Sequence, residues 1–193
     1  MHKNLPNFFI FLDQYNNKIF QNNSTDIGII YRNYNSSKRE VELNKIAIAC
    51  KNRRYKLFIS NDIRLVIKFK ADGIYIPAFN KTKRFSNLER KNLIVIGSAH
   101  NQKEIKEKIF QKCKAIFLSP TFHVKKAKKY LGIHRFNSLS YLNNIKIFAL
   151  GGINQNNIRK LTLLNNIEGF GGIGIFKKKP AYKRPVFVKN YFF

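Results

Sequence analysis

The chain has 193 residues, of which 44% are hydrophobic and 14% aromatic. This is ample for one buried core and too little for two full domains. The formal net charge is +27, from 37 Lys and Arg residues against 10 Asp and Glu residues, and a surface of this charge favours an anionic partner.

The positive charge is spread along the whole chain, and no basic–aromatic motif of a known nucleic-acid-binding module accompanies it. Nucleic acid is therefore the less favoured partner. Phosphorylated small molecules are also anions, and a positively charged surface would attract them equally. A biased amino-acid composition without any special partner is the alternative explanation of the charge.

Two cysteines, Cys50 and Cys113, lie in segments that resemble amphipathic helices and show no metal-binding spacing. We expect buried free thiols in a reducing cytosol. The sequence contains no apolar run of the length of a signal peptide or a membrane span, which predicts a cytoplasmic protein without membrane contact.

Short runs of β-branched or aromatic residues alternate with lysine-rich helical patterns along the chain. Eight such runs are predicted to be strands: 8–13, 26–34, 55–62, 73–80, 93–100, 114–122, 145–153 and 168–176. Helices are predicted over 37–54, 63–70 and 102–112, and the last of these places Ile105, Ile109 and Phe110 on one face.

Strands that are apolar without polar alternation are typical of a parallel sheet covered by helices. Eight of them in one uninterrupted β-then-α series favour an α/β fold, a closed (β/α)8 TIM barrel, over an open sheet. Because the chain is short for this barrel, some helices, notably the one after strand four, are expected to be reduced to turns. We predict one domain, 1–193, with a core at about 8–176 and a basic, aromatic C-terminal tail at 177–193.

The last two predicted strands end in glycine-rich segments. Gly151 and Gly152 follow strand seven, and Gly172 lies among four glycines of strand eight. In a (β/α)8 barrel the loops after these two strands commonly hold phosphate, because glycines let backbone N–H groups approach a ligand. Tight turns and close packing are the alternative reason for these glycines.

Polar residues end several of the other strands. Asp62, after Asn61, suits either Mg²⁺ coordination or the N-cap of a helix. Arg32, near the end of strand two, would hold a phosphate or lie on the surface. Ser98 would donate to a substrate, whereas His100 is more simply explained as a turn residue.

Strand six ends in the segment 119–123 and is followed by a basic loop without acidic residues that includes Lys126. This pattern is expected either of a flexible lid over an anion or of a solvated loop.

Taken in order, these segments resemble the thiamine-phosphate synthase/TenI family of barrels from about Ile29 to Phe176. Seven segments carry the resemblance: IIYRNY, LFISND, DGIYIPAFN, VIGSAHN, FLSPTF, FALGGI and GFGGIGIF. No single segment is diagnostic, but seven in the family's order are fairly specific.

The resemblance implies a transferase that joins hydroxymethylpyrimidine diphosphate to thiazole phosphate and releases pyrophosphate. By this resemblance Asp62 and Asn80 would bind Mg²⁺, Asn61 would contact the pyrimidine diphosphate and Ser98 the substrate. Arg32 and Lys126 would supply positive charge during catalysis.

The chain departs from the family pattern at several motif positions. Ile30 and Tyr34 replace the Gln and Lys of the strand-two motif, Asn80 replaces an aspartate, and Lys177 replaces a serine. Pro120 stands where the TenI branch, which aromatises the thiazole phosphate, has a histidine, and this argues against that branch.

Three hypotheses remain from the sequence: a divergent synthase, a barrel that binds a phosphorylated ligand after losing or changing the reaction, and a basic nucleic-acid-associated protein. A homo-oligomer is left open.

Overall fold

The computed structural model describes residues 4–22, 26–34, 36–86, 88–125, 127 and 129–176. In this part of the chain eight parallel strands follow one another in sequence order and close into a barrel. The strands are β1 Phe8–Leu12, β2 Ile27–Tyr31, β3 Lys56–Ser60, β4 Gly73–Ile76, β5 Ile94–Ala99, β6 Ala115–Leu118, β7 Lys146–Leu150 and β8 Ile167–Gly172. The predicted (β/α)8 barrel is confirmed.

Helices connect some of the strands, and short 3₁₀ segments replace them elsewhere. The helices are α1 Asn17–Asn22, α2 Arg39–Arg53, α3 Ile63–Lys68, α4 Gln102–Phe110 and α5 Gly132–Tyr141. The 3₁₀ segments are Leu88–Lys91, Ile158–Leu163 and Gly174–Phe176. The prediction of a reduced helix after strand four is therefore confirmed, because the described residues between β4 and β5 form a single 3₁₀ turn and no α-helix.

The strands are apolar throughout because both of their faces are covered. Almost every strand residue is buried, and aromatic rings fill the barrel interior. Phe9 is at their centre, since its ring centroid lies 5.0 Å from that of Phe117 and 5.1 Å from that of Phe148, both edge to face. Each fully buried ring contributes about 1.5–3 kcal/mol through the apolar area that it removes from water.

The barrel closes between its first and last strands with a very close approach. Phe8 pairs with Phe170, and the Phe170 N–H donates to the carbonyl of Asn7 at 3.1 Å. A Cβ atom on Gly169 would lie 1.8 Å from that same carbonyl oxygen. Only glycine fits this position without a shift of the backbone.

Every predicted strand runs past the observed carboxyl end, by one to four residues. Two of them matter for the site. Strand two ends at Tyr31 and strand four at Ile76, whereas the sequence predicted Tyr34 and Asn80. The residues that follow them, Arg32 to Tyr34 and Pro77 to Phe79, line a cavity.

The predicted buried face of α4 is also partly wrong. Ile105 is buried as expected, but Ile109 and Phe110 are exposed, and the second buried side chain of the helix is Lys108. A helix buries residues three or four positions apart, and here the charged residue at that spacing turns inward.

Both cysteines are free and buried, as predicted, although Cys113 lies just after α4. Burial raises the pKa of the Cys113 thiol to about 12, so this group stays protonated and is a poor nucleophile near neutral pH. None of the helices in the described ranges is long and apolar enough to cross a membrane.

Candidate active site

A cavity of about 610 Å³ opens at the carboxyl ends of the strands, where (β/α)8 barrels place their ligands. Its walls mix charged, hydroxyl-bearing and aromatic side chains. The lining residues are Asp13, Arg32, Asn33, Tyr34, Tyr75, Pro77, Ala78, Phe79, Ser98, His100, Glu104, Ser119 and Leu150. Two of the predicted site residues, Arg32 and Ser98, are therefore brought together.

Arg32 is the first residue after β2 and keeps the strand direction, since its N–H donates to the carbonyl of Leu12 at 3.0 Å. Its Nε lies 3.1 Å from Oδ1 of Asp13, and its guanidinium is 5.6 Å from the centre of the Phe11 ring. The side chain is 39% exposed, so the charge faces the cavity and not the barrel interior. An anionic ligand here would meet a guanidinium already held in place by one carboxylate.

Ser98 lies on β5 at the floor of the cavity and is nearly fully buried. The hydroxyl of Tyr75 donates to its Oγ at 2.8 Å. Burial raises the pKa of Tyr75 above its ordinary value of 10, which keeps this donor protonated. Because the Oγ of Ser98 accepts from Tyr75, its own proton is free to point toward a ligand in the cavity.

Tyr34 takes the place of the lysine expected from the family motif and makes two contacts. Its hydroxyl is 2.6 Å from Oγ of Ser60, and its ring lies edge to face with that of Phe79 at a centroid distance of 6.2 Å. Partial burial raises the pKa of Tyr34, so it adds no charge to the wall.

His100 is held as a turn residue before α4. Its N–H donates to Oε2 of Glu104 at 2.7 Å, and its Nδ1 contacts the carbonyl oxygen of Ser119. The ring lines the cavity in this fixed position.

Asp62 is the N-cap of α3, which is the alternative that the sequence left open. Its Oδ1 accepts from the N–H groups of Arg64 at 3.0 Å and Leu65 at 3.2 Å. Its Oδ2 lies 3.4 Å from Nη1 of Arg39, and Arg39 also donates to the carbonyl of Ser60 at 2.9 Å. Both carboxylate oxygens are thus engaged within the protein.

Asn61 and Asn80 contact each other through their side-chain amides. Asn61 has a left-handed backbone with φ 60°, and its Oδ1 accepts from Nδ2 of Asn80. The Oδ1 of Asn80 accepts from the N–H of Thr82 at 2.8 Å. Neither asparagine is among the residues that line the cavity.

These residues do not fit a Mg²⁺ ion in the arrangement observed. The ion is commonly held by one or two free carboxylates with waters and substrate phosphates, whereas Asp62 offers one carboxylate oxygen outside its helix cap, and the Arg39 guanidinium occupies that oxygen. The amide oxygens of Asn61 and Asn80 are already acceptors. In the described ranges no three His, Cys, Asp or Glu side chains are grouped so that they could hold a metal. The Mg²⁺ expected from the sequence stays a prediction.

Gly151 and Gly152 follow β7 with left-handed φ angles of 88° and 74°. A Cβ on Gly152 would lie 2.4 Å from the carbonyl oxygen of Phe122, so the turn requires glycine for conformation and for space. Gly172 ends β8 and is half-buried. Both loops lie at the predicted edge of the barrel, and phosphate binding by them stays a prediction.

Two predicted positions cannot be placed. Lys126 lies outside the described residues, and so do Lys177 and the rest of the tail 177–193.

Several functional candidates were not found from the sequence. Arg39, Phe79 and Lys108 stand in lysine-rich or aromatic segments whose local pattern is ordinary. Asp13 directly follows β1, and the rule that strand ends carry functional residues in this barrel would have identified it.

The closed parallel barrel and the polar cavity at its carboxyl ends define a (β/α)8 barrel protein with a small-molecule site at that end. The profile of the family described as thiamine monophosphate synthase matches residues 22–172. The chain belongs to this family, as the sequence motifs indicated.

Known proteins similar to the chain carry the same family name. A thiamine-phosphate synthase of Prochlorococcus marinus is 31% identical over 127 residues, which are 64% of this chain and 35% of that protein. One of Pediococcus pentosaceus is 26% identical over 174 residues, 85% of this chain and 80% of that protein. The chain thus spans about a third of the length of the first relative and most of the second.

The solved structure of thiamine phosphate pyrophosphorylase from Pyrococcus furiosus has a TM-score of 0.72 with this chain, at 18% identity and 91% coverage of both chains. At this identity the similarity shows the shared barrel fold.

Proposed function

We propose that the chain is a thiamine-phosphate synthase-type transferase, which joins hydroxymethylpyrimidine diphosphate to thiazole phosphate in thiamine biosynthesis. The observation that carries the proposal is that Arg32 and Ser98, both at positions of the family motifs, line one cavity at the carboxyl ends of the strands. In this reaction the bond between the pyrimidine methylene carbon and the diphosphate oxygen breaks. The thiazole nitrogen then bonds to that carbon, and pyrophosphate leaves.

Each residue has a distinct part in this proposal. The Arg32 guanidinium neutralises charge that develops on the leaving diphosphate, and it needs no proton transfer to do so. The Ser98 hydroxyl, with its oxygen already accepting from Tyr75, donates a hydrogen bond to the substrate. The glycine turns after β7 and β8 would bind the phosphate of the second substrate through backbone N–H groups.

The test measures thiamine phosphate and pyrophosphate after incubation with both precursors, with and without Mg²⁺. We expect Arg32→Met and Ser98→Ala each to lower kcat/KM about 100–1000-fold, as removal of one transition-state hydrogen bond or charge does. Arg159→Met, on an exposed side chain of the segment after β7, is the control and should leave the rate unchanged. A wild-type chain that forms no product would contradict the proposal.

A second candidate is a barrel that binds the phosphorylated ligand without turning it over. It is favoured by Tyr34, which replaces a lysine of the family motif. Asn61, Asp62 and Asn80 favour it as well, since their side chains are hydrogen-bonded within the protein and do not line the cavity. Ligand binding without product in the same assay would support it.

A further inference from the structure

Phe79 presents an exposed aromatic face at the rim of the cavity. The residue is 70% exposed, although its neighbours Pro77 and Ala78 are buried. It lines the cavity together with Tyr34, which packs edge to face against it. An exposed ring at the wall of a ligand cavity is apolar area that a ligand can remove from water.

The orientation of this pair is fixed from the side of Tyr34. The hydrogen bond between the Tyr34 hydroxyl and Ser60 Oγ, at 2.6 Å, ties the ring to the end of β3. The Tyr34 ring then contacts the Phe79 ring at an interplanar angle of 73°, and most of the Phe79 side chain stays accessible to a ligand.

The loop that carries Phe79 is also held by hydrogen bonds from the end of α4. The buried amine of Lys108 donates to the carbonyl of Asn80 at 2.7 Å and to Oε1 of Gln111 at 2.9 Å. Gln111 in turn donates to the carbonyls of Asn80 at 3.0 Å and Thr82 at 2.8 Å. A ring held in one place costs less entropy on binding than a ring on a loose loop.

Polar groups share the cavity with this ring. Arg32 contributes a positive charge, and the Ser98 hydroxyl lies at the floor. A ligand that satisfies all of these groups combines a planar aromatic ring with an anionic arm.

From these contacts we propose that Phe79, supported by Tyr34, is the stacking platform for a planar heteroaromatic ring whose anionic arm reaches Arg32. This inference rests on the proposed function, in which the substrate is a pyrimidine diphosphate, and it adds the residue that recognises the ring. The ring and not the diphosphate is placed at Phe79, because the exposed Phe79 side chain offers apolar area to a ring, whereas the Arg32 guanidinium in the same cavity suits an anion.

The first test uses the absence of tryptophan from the chain. Phe79→Trp keeps an aromatic face and introduces one tryptophan, whose fluorescence reports directly on stacking. Hydroxymethylpyrimidine diphosphate should quench this fluorescence with saturation, and inorganic pyrophosphate should not. Phe110→Trp, at an exposed position on α4, is the matched control and should respond to neither.

The second test compares affinities in equilibrium dialysis for the wild type and Phe79→Ala. The loss of one stacking contact should weaken binding of the pyrimidine diphosphate about tenfold. Binding of inorganic pyrophosphate should change less than about twofold, and Phe79→Tyr should restore the affinity for the pyrimidine diphosphate.

Equal losses for both probes, or none for either, would overturn the inference, and so would a wild-type chain that binds neither. The inference and the proposed function fail separately. A chain that shows the quenching and the affinity difference but forms no thiamine phosphate supports the stacking platform and contradicts the transferase.

Discussion

Asp62 stabilises the end of β3 through both of its carboxylate oxygens. One oxygen caps α3 and the other pairs with Arg39, whose side chain is largely buried and whose Nε has no hydrogen-bond partner in the described part of the chain. A partly buried guanidinium without a counter-charge is costly. The observed contacts therefore give Asp62 a structural role that does not depend on a metal.

Asp62→Ala is expected to lower the free energy of unfolding by about 1–3 kcal/mol, because the helix cap and the partner of Arg39 are lost together. Denaturant titration measures the change. Glu40→Ala is the matched control, since the Glu40–Lys68 pair is exposed and should contribute at most about 1 kcal/mol. Similar losses in the two variants would contradict the structural role.

Asp62→Ala also tests the predicted Mg²⁺ site. Electron paramagnetic resonance with Mn²⁺ in place of Mg²⁺ should show little binding to the wild type, given the ligands available around Asp62. Tight Mn²⁺ binding by the wild type that is lost in Asp62→Ala would instead support the predicted magnesium site.

At the level of elements, the buried face of α4 differs from the face that the sequence predicted, and this difference affects the loop that carries Phe79. Its buried face includes Lys108, whose amine binds the loop after β4, whereas Ile109 and Phe110 face solvent. Burial lowers the pKa of Lys108, and the carbonyl of Asn80 and Oε1 of Gln111 accept from its amine. The helix thus fixes the loop that presents Phe79.

Lys108→Met is expected to loosen that loop while the barrel stays folded, since the methionine fills the space without donating. Hydrogen exchange should show faster exchange at the amides of Asn80 and Thr82. Lys106→Met, an exposed position on the same helix, provides the comparison and should leave these rates unchanged. Unaltered exchange in Lys108→Met would show that the amine does not anchor the loop.

At the level of the whole molecule, the barrel depends on close contact between β1 and β8. A methyl group on Gly169 meets the backbone carbonyl of Asn7, and that carbonyl also accepts the hydrogen bond from Phe170. The barrel cannot relieve the contact by rotating a side chain.

Gly169→Ala is therefore expected to lower the free energy of unfolding by about 2–3 kcal/mol, near the upper range for overpacking. Gly174→Ala is the control, because no atom of the described residues, its two chain neighbours apart, lies within 4 Å of the position of its Cβ. Thermal or denaturant unfolding of both variants measures the difference, and a Gly169→Ala variant as stable as Gly174→Ala would show that the strands separate readily.

The sequence by itself determined the fold class and the family. Continuous apolar strands can be satisfied only by burial on both faces, and their β-then-α order leaves the closed parallel barrel as the natural arrangement. The same reasoning placed Arg32 and Ser98 at the correct end of the barrel, because strand ends are visible in the local pattern.

Only the tertiary structure decided which side chains share the cavity. Tyr34 and Phe79 meet, Asp62 faces Arg39, and Lys108 reaches Asn80, although each pair is separated by more than twenty residues. Local periodicity predicts which face of an element is buried, but a contact between distant residues depends on how the elements pack. For the same reason Asp62, predicted to be a metal ligand, caps a helix, and Asn80 pairs with Asn61. Tyr34 and Phe79, predicted to lie in strands, line the cavity.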